Sequence, residues 1–230
     1  MGSRHVSLRV FVAIRFAVFA IMIAFAPLRA VCDTVYTNLG PNNSFNTSSD
    51  WTVSGLSSQV GFFAEAENFT PTSNSVLTQI DLPLFAFTQG SADNISLAVS
   101  ANGVPGAALE SWSGVQLPGL TPNTVVQLLA SGSPITLSAG QQYWVVVQPA
   151  AATTWTGWFW NSTGDINGTN GVSFACTACG PGFGIPETTV QRAAFDVQGT
   201  PVSPVPEPGS FVLLCSGVLG LVGLRRLRSA

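Results

Sequence analysis

Alternating apolar and polar positions run through the middle of the chain and predict β-strands. In residues 76–84 every second position is an aliphatic residue or Thr78, with Gln79 and Asp81 between them. Residues 95–99 repeat this period of two, and residues 142–148 form the apolar run of a buried strand. Further runs rich in β-branched and aromatic residues cover 60–63, 124–129, 155–160, 172–175 and 190–197. No stretch between them carries an amphipathic helical stripe, so the fold class is predicted to be all-β.

Turn signals separate these runs and indicate how the strands are arranged. They are Asn102-Gly103, Pro105-Gly106, Pro118-Gly119, Ala139-Gly140 and Asn167-Gly168. Short strands at such spacing predict an antiparallel β-sandwich, jelly-roll-like, over residues 59–200. Residues 31–58 are rich in Asn, Ser and Thr, and are predicted to form an N-terminal edge segment with a first strand near Trp51 as the alternative.

The first thirty residues have the pattern of a secretory signal peptide. Arg4 and Arg9 precede an apolar stretch at 16–26, and residues 27–30 end in a small residue suited to cleavage. Residues 1–30 are therefore predicted to be a signal helix that is cut after Ala30. The protein is expected to be exported.

The other end of the chain has the pattern of a membrane anchor. After a proline-rich linker at 201–210, residues 211–224 carry no charge, and residues 225–230 form a basic tail with Arg225, Arg226 and Arg228 as the membrane stop. Fourteen helical residues span roughly 21 Å, which is less than the hydrocarbon core of about 30 Å. This predicts a single, marginal transmembrane helix whose basic flank stays in the cytoplasm.

The same C-terminal residues resemble the PEP-CTERM sorting signal of Gram-negative bacteria. The resemblance rests on Val205, Pro206, Glu207 and Pro208, followed in order by the apolar helix and the arginine cluster. It implies processing near the Pro-Glu-Pro motif by an exosortase, a membrane protease or transpeptidase. It also implies export through the inner membrane as an anchored precursor, with a mature form at the cell surface or in an extracellular polysaccharide matrix.

Residues 60–197 resemble the choice-of-anchor domains, R type, that accompany this sorting signal. The resemblance rests on the strands around Ile80 and Leu97, the turn at 102–106 and the segment at 137–147. This resemblance supports a β-domain but implies no catalytic residue, so no site is transferred from it.

The charge balance of residues 31–204 excludes several kinds of chemistry. Ten acidic residues face a single base, Arg192, which gives a net charge of −9. Such a surface disfavours nucleic acid and anionic lipid. The chain has no lysine, and its one histidine, His5, lies in the signal peptide. Histidine-dependent triads and Schiff-base chemistry are thereby excluded, and we predict no catalytic residue, no cofactor and no metal.

Carboxylates are the remaining reactive groups. Glu65 and Glu67 lie two apart and would share one face of a strand. A glycosidase needs two carboxyl groups across a cleft, and the candidates here are Glu65, Glu67, Asp81, Glu110 and Asp165. Surface carboxylates are the favoured interpretation. Asp165 and Asn167 form a weak calcium candidate, with a plain Asn-Gly turn as the favoured alternative.

The four cysteines fit an oxidising compartment better than a metal site. Cys176 and Cys179 form a lone CxxC in a loop-like context, for which a small structural disulfide is expected. Cys32 either stays free or pairs with one of them. Cys215 lies in the membrane segment.

Three tryptophans raise the question of ligand binding. Trp155, Trp158 and Trp160 lie within six residues, and the last two would share a strand face. A core position is the favoured interpretation, and stacking on sugar rings is the alternative. The leading hypothesis is a non-catalytic exported surface or matrix protein. The alternatives are a carbohydrate-binding module of the exopolysaccharide matrix and a carboxylate-based glycosidase.

Overall fold

The computed structural model describes residues 33–120, 124–166, 173–175, 185–187 and 189–202. These residues are all-β apart from one 3-10 turn at Pro41–Asn43. The strands are β1 (Asp33–Thr37), β2 (Phe45–Ser54), β3 (Glu65–Phe69), β4 (Ser75–Leu82), β5 (Leu84–Ala86), β6 (Ala92–Ala101), β7 (Val104–Gln116), β8 (Val126–Leu129), β9 (Thr136–Leu137), β10 (Tyr143–Pro149), β11 (Trp155–Asn161), β12 (Ser173–Ala175), β13 (Ile185–Glu187) and β14 (Asp196–Pro201).

The strands form three antiparallel sheets. One has the order β1-β14-β4-β8, with β9 also paired to β4, and the second has the order β13-β12-β3-β10-β6-β7. The third is the small sheet β2-β11-β5. The prediction of an all-β fold built from antiparallel sheets is thus confirmed.

One central core joins the three sheets. Its fully buried members include Leu97 and Val145 from the six-stranded sheet, Ile80 from the first sheet and Trp158 from the small sheet. Along β10, Tyr143, Val145 and Val147 contribute to this core, whereas Trp144 and Val146 form a separate cluster. The alternation follows from the period of two in a strand, where successive side chains point to opposite faces.

The hairpin between β6 and β7 forms at the predicted Asn-Gly turn. Ala101 pairs with Val104, so only Asn102 and Gly103 connect the strands. Both residues have positive φ, 55° and 81°. Two-residue hairpins with matching twist need this backbone conformation, which Asn and Gly adopt at the lowest steric cost.

Two of the predicted strands are shorter than expected. In the run at 60–63 only Phe63 pairs, through an isolated bridge to Ser54. In the run at 190–197 the strand starts at Asp196, because the preceding residues bond to a different sheet: Asn161 N donates to Arg192 O, and Ala194 N donates to Phe159 O. The chain crosses here from the small sheet to the first sheet.

The predicted N-terminal edge segment contains two strands of the fold. β1 and β2 are both edge strands of their sheets, and β2 includes the alternative strand expected near Trp51. Val53 of β2 is fully buried in the central core. The described β-structure therefore includes β1 and β2, which lie before the expected boundary at 59.

Several predictions fall on residues that the structure does not describe. They are the signal helix, the membrane helix at 211–224, the Pro-Glu-Pro motif, the arginine stop, Cys32, Cys176, Cys179 and Asn167. Within the described ranges, no helix has the length and apolar character needed to cross a membrane.

Candidate functional site

The tryptophan-rich strand β11 is the middle strand of the small sheet, and its two faces differ. Trp158 is fully buried in the central core, where its Nε1 donates a 2.7 Å hydrogen bond to Ala194 O. A ligand cannot reach this ring. The glycan-binding alternative is therefore corrected at Trp158, which has the core position that the sequence favoured.

Trp160 is only half-buried and lies against Trp51, with 6.0 Å between the ring centroids. The pairing of β11 with β2 is irregular between Phe159 and Trp160. The Nε1 atom of Trp160 is buried and has no hydrogen-bond partner among the described residues. The Trp160 ring is thus packed on Trp51 and is only partly accessible to a ligand.

The opposite face of the small sheet carries a continuous row of aromatic rings. Phe45 stacks on Phe159 at 5.4 Å, Phe159 on Phe85 at 4.3 Å, and Phe85 meets Phe87 edge-on at 4.7 Å. Trp155 ends the row, 4.9 Å from Phe87. The first three rings are buried, whereas Phe87 is 42 % exposed and Trp155 is half-buried. The row therefore opens to solvent at the Phe87–Trp155 pair.

Gly157 makes room for this row. A Cβ atom at position 157 would lie 2.5 Å from the Phe85 ring and 2.9 Å from Asp50 Oδ1. We expect Gly157→Ala to displace the Phe85 ring and to lower the free energy of unfolding by about 1–3 kcal/mol, as overpacking does. Urea denaturation would measure the loss. Gly119→Ala is the matched control, because nothing lies within 4 Å of its Cβ position; equal stability of the two variants would contradict the expectation.

An open cleft of about 380 Å³ lies beside the exposed end of the aromatic row. Its lining residues are uncharged: Thr88, Gln89, Gly90, Ser91, Ala92, Gly114, Gln116, Ala150, Ala151, Thr153 and Thr154. Hydrogen bonds of the Trp155 backbone connect the cleft residues to the Phe87–Trp155 pair. Trp155 O accepts from Phe87 N at 3.0 Å and from Thr88 N at 3.4 Å, and Trp155 N donates to Ser91 Oγ at 3.2 Å.

The floor of the cleft is held in place by Thr154. This residue is 2 % exposed, and its Oγ1 accepts from Ala151 N and donates to Ala92 O, each at 3.1 Å. By contrast, the side chains of Thr88, Gln89, Gln116 and Thr153 are exposed and make no hydrogen bond to any residue that the structure describes. The cleft thus combines a fixed base with hydroxyl and amide groups that are available to a ligand.

The single base of the domain forms a buried ionic network. Arg192 is fully buried; its Nε lies 2.7 Å from Glu67 Oε2, and its Nη1 lies 3.1 Å from Asp165 Oδ2. Tyr36 joins the network, since its hydroxyl accepts from Arg192 Nη1 at 2.9 Å and donates to Asp165 Oδ2 at 3.0 Å. Arg192 Nη2 also donates to Asn68 O.

The electrostatics of this network favour a permanent charge on Arg192. Burial alone would lower the pKa of Arg192, but the negative charges of Glu67 and Asp165 and the Tyr36 hydroxyl outweigh it and raise the pKa. Burial raises the pKa of Tyr36, which Arg192 opposes, so the phenol stays neutral. Glu67 and Asp165 therefore serve as fixed counter-ions of Arg192 in the interior of the protein.

The structure does not bring the predicted carboxylates to a common cleft. Glu65 and Glu67 share a face of β3, as the spacing predicts, but both are buried. Glu110 accepts from Ser131 at 2.9 Å and 3.0 Å, and Asp81 accepts from Gln79 at 2.6 Å on another sheet. This arrangement gives the glycosidase alternative no support, because its carboxyl groups need access to a sugar.

The described residues contain no candidate metal site of three or more ligands. They contain no group of three or more His, Cys, Asp and Glu side chains placed to hold an ion. Asp165, the carboxylate of the calcium candidate, already binds Arg192 and Tyr36 through Oδ2.

The comparison with known families concerns the C-terminal tail. Residues 204–228 match the PEP-CTERM protein-sorting motif. The search of curated proteins found no match to the chain. The motif indicates an exported protein whose sorting depends on an exosortase, with export through the membrane of a Gram-negative bacterium and display at the surface. The prediction of a PEP-CTERM signal is thereby confirmed.

Proposed function

We propose that the chain is a non-catalytic protein of the cell surface or extracellular matrix. A signal peptide at 1–30 would direct export, and a transmembrane helix at 211–224 would hold the precursor until an exosortase acts near Pro206–Pro208. The match to the sorting motif at 204–228 carries this proposal. The last described strand, β14, ends at Pro201, so a cut in the motif would leave every described strand intact.

The released domain would retain its acidic character. Residues 31–204 hold ten acids and one base, and that base is enclosed by Glu67 and Asp165. In the part that the structure describes, the surface of the domain therefore carries no basic side chain. Like-charge repulsion between copies favours a soluble, dispersed protein outside the cell. We also propose that this domain is of the choice-of-anchor type and that its strands are arranged as a jelly roll.

Processing can be tested in the producing bacterium. We expect the mature protein from wild-type cells to lack residues after the motif, and the protein from cells without the exosortase to keep them in the membrane fraction. Intact mass and cell fractionation would measure this. Replacing Pro206, Glu207 and Pro208 by Ala should give the same retention, whereas Val202→Ala, which changes an exposed residue outside the matched motif, serves as the control. An intact C-terminus in both strains would contradict exosortase processing.

The second candidate function is a carbohydrate-binding module of the exopolysaccharide matrix. It is favoured by the exposed Phe87–Trp155 pair beside an uncharged cleft, and not by Trp158. Aromatic rings next to convergent polar groups are the usual components of sites for small polar ligands.

A further inference from the structure

We propose that the cleft beside the β5–β6 turn, together with Phe87 and Trp155, binds an uncharged polysaccharide. This inference deepens the proposed surface role and rests on it, because an exported protein meets the polysaccharide of its own cell. We use the term glycan cleft for the residues that line the opening, from Thr88 to Ala92, from Ala150 to Thr154 without Ala152, and Gly114 with Gln116.

The chemistry of the lining selects the class of ligand. Thr88, Gln89, Gln116 and Thr153 offer hydroxyl and amide groups that both donate and accept hydrogen bonds, as sugar hydroxyls do. No lining residue carries a charge. A phosphate, a sulfate or a metal ion would lack a counter-charge in the glycan cleft, so these ligands are not expected.

The aromatic pair supplies the apolar half of the site. Phe87 is 42 % exposed, and its ring is braced by Phe85 at 4.7 Å and Trp155 at 4.9 Å. A braced ring loses little conformational freedom when a ligand covers it, which favours binding. The C–H face of a pyranose is apolar, whereas its edge carries hydroxyl groups. One sugar unit in the glycan cleft would therefore place a neighbouring unit against the Phe87–Trp155 pair.

The charge of the domain decides between neutral and acidic polysaccharides. The excess of ten acidic residues over a single base in residues 31–204 gives the domain a negative charge, which repels a polyanion at low and moderate ionic strength. Arg192 is the one basic residue between 31 and 204. It is fully buried and ion-paired, so it cannot contact a uronate. The occupant is therefore an uncharged polysaccharide and not an acidic one.

Affinity gel electrophoresis of the full chain in detergent tests the inference. The gels contain either the neutral or the acidic polysaccharide fraction purified from the producing bacterium. We expect the wild-type chain to be retarded by the neutral fraction alone. Phe87→Ala should weaken retardation about tenfold, as expected for the loss of one aromatic contact. Leu129→Ala, which removes a side chain that is 64 % exposed on β8, should leave it unchanged.

A conservative variant separates binding from folding. Trp155→Phe keeps an aromatic ring and should keep retardation, while the change in tryptophan fluorescence on adding the neutral fraction should become smaller. Free migration of the wild type, retardation by the acidic fraction alone, or equal weakening in Leu129→Ala would each overturn the inference. Normal C-terminal processing of a chain that migrates freely would overturn this inference only, whereas retardation of a chain that is never processed would overturn the sorting proposal only.

Discussion

Arg192→Met should lower the free energy of unfolding by about 3–5 kcal/mol, the usual cost of removing one partner of a buried ion pair. The substitution keeps much of the side-chain volume but leaves Glu67 and Asp165 without their cation. Glu67 would keep a 2.8 Å hydrogen bond from Ala193 N, and Asp165 would keep the Tyr36 hydroxyl. Neither contact neutralises a buried negative charge. Denaturant unfolding of the full chain at neutral pH measures the loss.

The matched control removes the charges together. In the triple variant Arg192→Met, Glu67→Gln, Asp165→Asn, we expect much of the lost stability to return, because replacing a whole buried ionic group costs far less than breaking it. If Arg192→Met alone is too unstable to fold, recovery of a cooperative transition in the triple variant still reports the coupling. A single variant as stable as the wild type would show that these ion pairs contribute nothing to stability.

This network explains why β3 is missed from the sequence. Glu65, Glu67 and Asn68 give the segment the composition of a surface loop, yet all five of its residues are buried. The compensating charge of Arg192 comes from 125 residues further along the chain. Local periodicity contains no information about a partner at that distance, although the presence of one base among ten acids marks Arg192 as unusual.

Predictions that rest on local chemistry were more accurate. The Asn102-Gly103 hairpin and the apolar run of β10 were both predictable, because turn conformation and strand period are properties of neighbouring residues. The candidate site was predictable in part. The sequence identifies β11 as aromatic, but burial of Trp158 and exposure of Phe87 depend on which layers cover each face of the small sheet.

The lining of the glycan cleft could not be predicted from the sequence. Its lining comes from three separated segments, around residues 90, 115 and 152, that the sheet topology brings together. Threonine, glutamine, glycine and alanine in such segments have the composition of ordinary turns. A useful hint was Phe87, an aromatic residue directly before the Thr-Gln-Gly sequence of a turn, where exposure of the ring is expected.

Stability should fall as the pH rises from about 4 to about 7, because of Asp93. This carboxyl group is fully buried, and burial raises its pKa to about 7, with the Thr156 hydrogen bond opposing the shift. The Thr156 hydroxyl lies 2.9 Å and 3.0 Å from the two carboxyl oxygens and 3.1 Å from Val53 O. A hydroxyl has one proton to donate. A protonated Asp93 can donate to Thr156 while Thr156 donates to Val53, so the neutral acid satisfies all three groups.

The direction of this pH dependence follows from the number of protons that the folded and unfolded states bind. The unfolded chain releases the Asp93 proton near its ordinary pKa of about 3.9, whereas the folded chain keeps it up to about pH 7. Between these two pH values the folded state binds more protons than the unfolded state. The stabilisation that comes from protonated Asp93 is therefore fully present below about pH 4 and is lost as the pH rises to about 7. Because the pKa of Asp93 is about 7 in the folded chain and about 3.9 in the unfolded chain, the loss is on the order of 4 kcal/mol.

Asp93→Asn should remove this pH dependence and isolate the contribution of Asp93. The amide stays neutral and can donate to Thr156 at every pH, so we expect the variant to match the wild type near pH 4 and to exceed its stability above pH 7. Asp33→Asn removes the same charge from an exposed position and serves as the control. Urea denaturation from pH 4 to pH 8 would measure all three proteins. Parallel pH profiles for Asp93→Asn and the wild type would show that Asp93 ionises in the folded protein as it does in the unfolded chain.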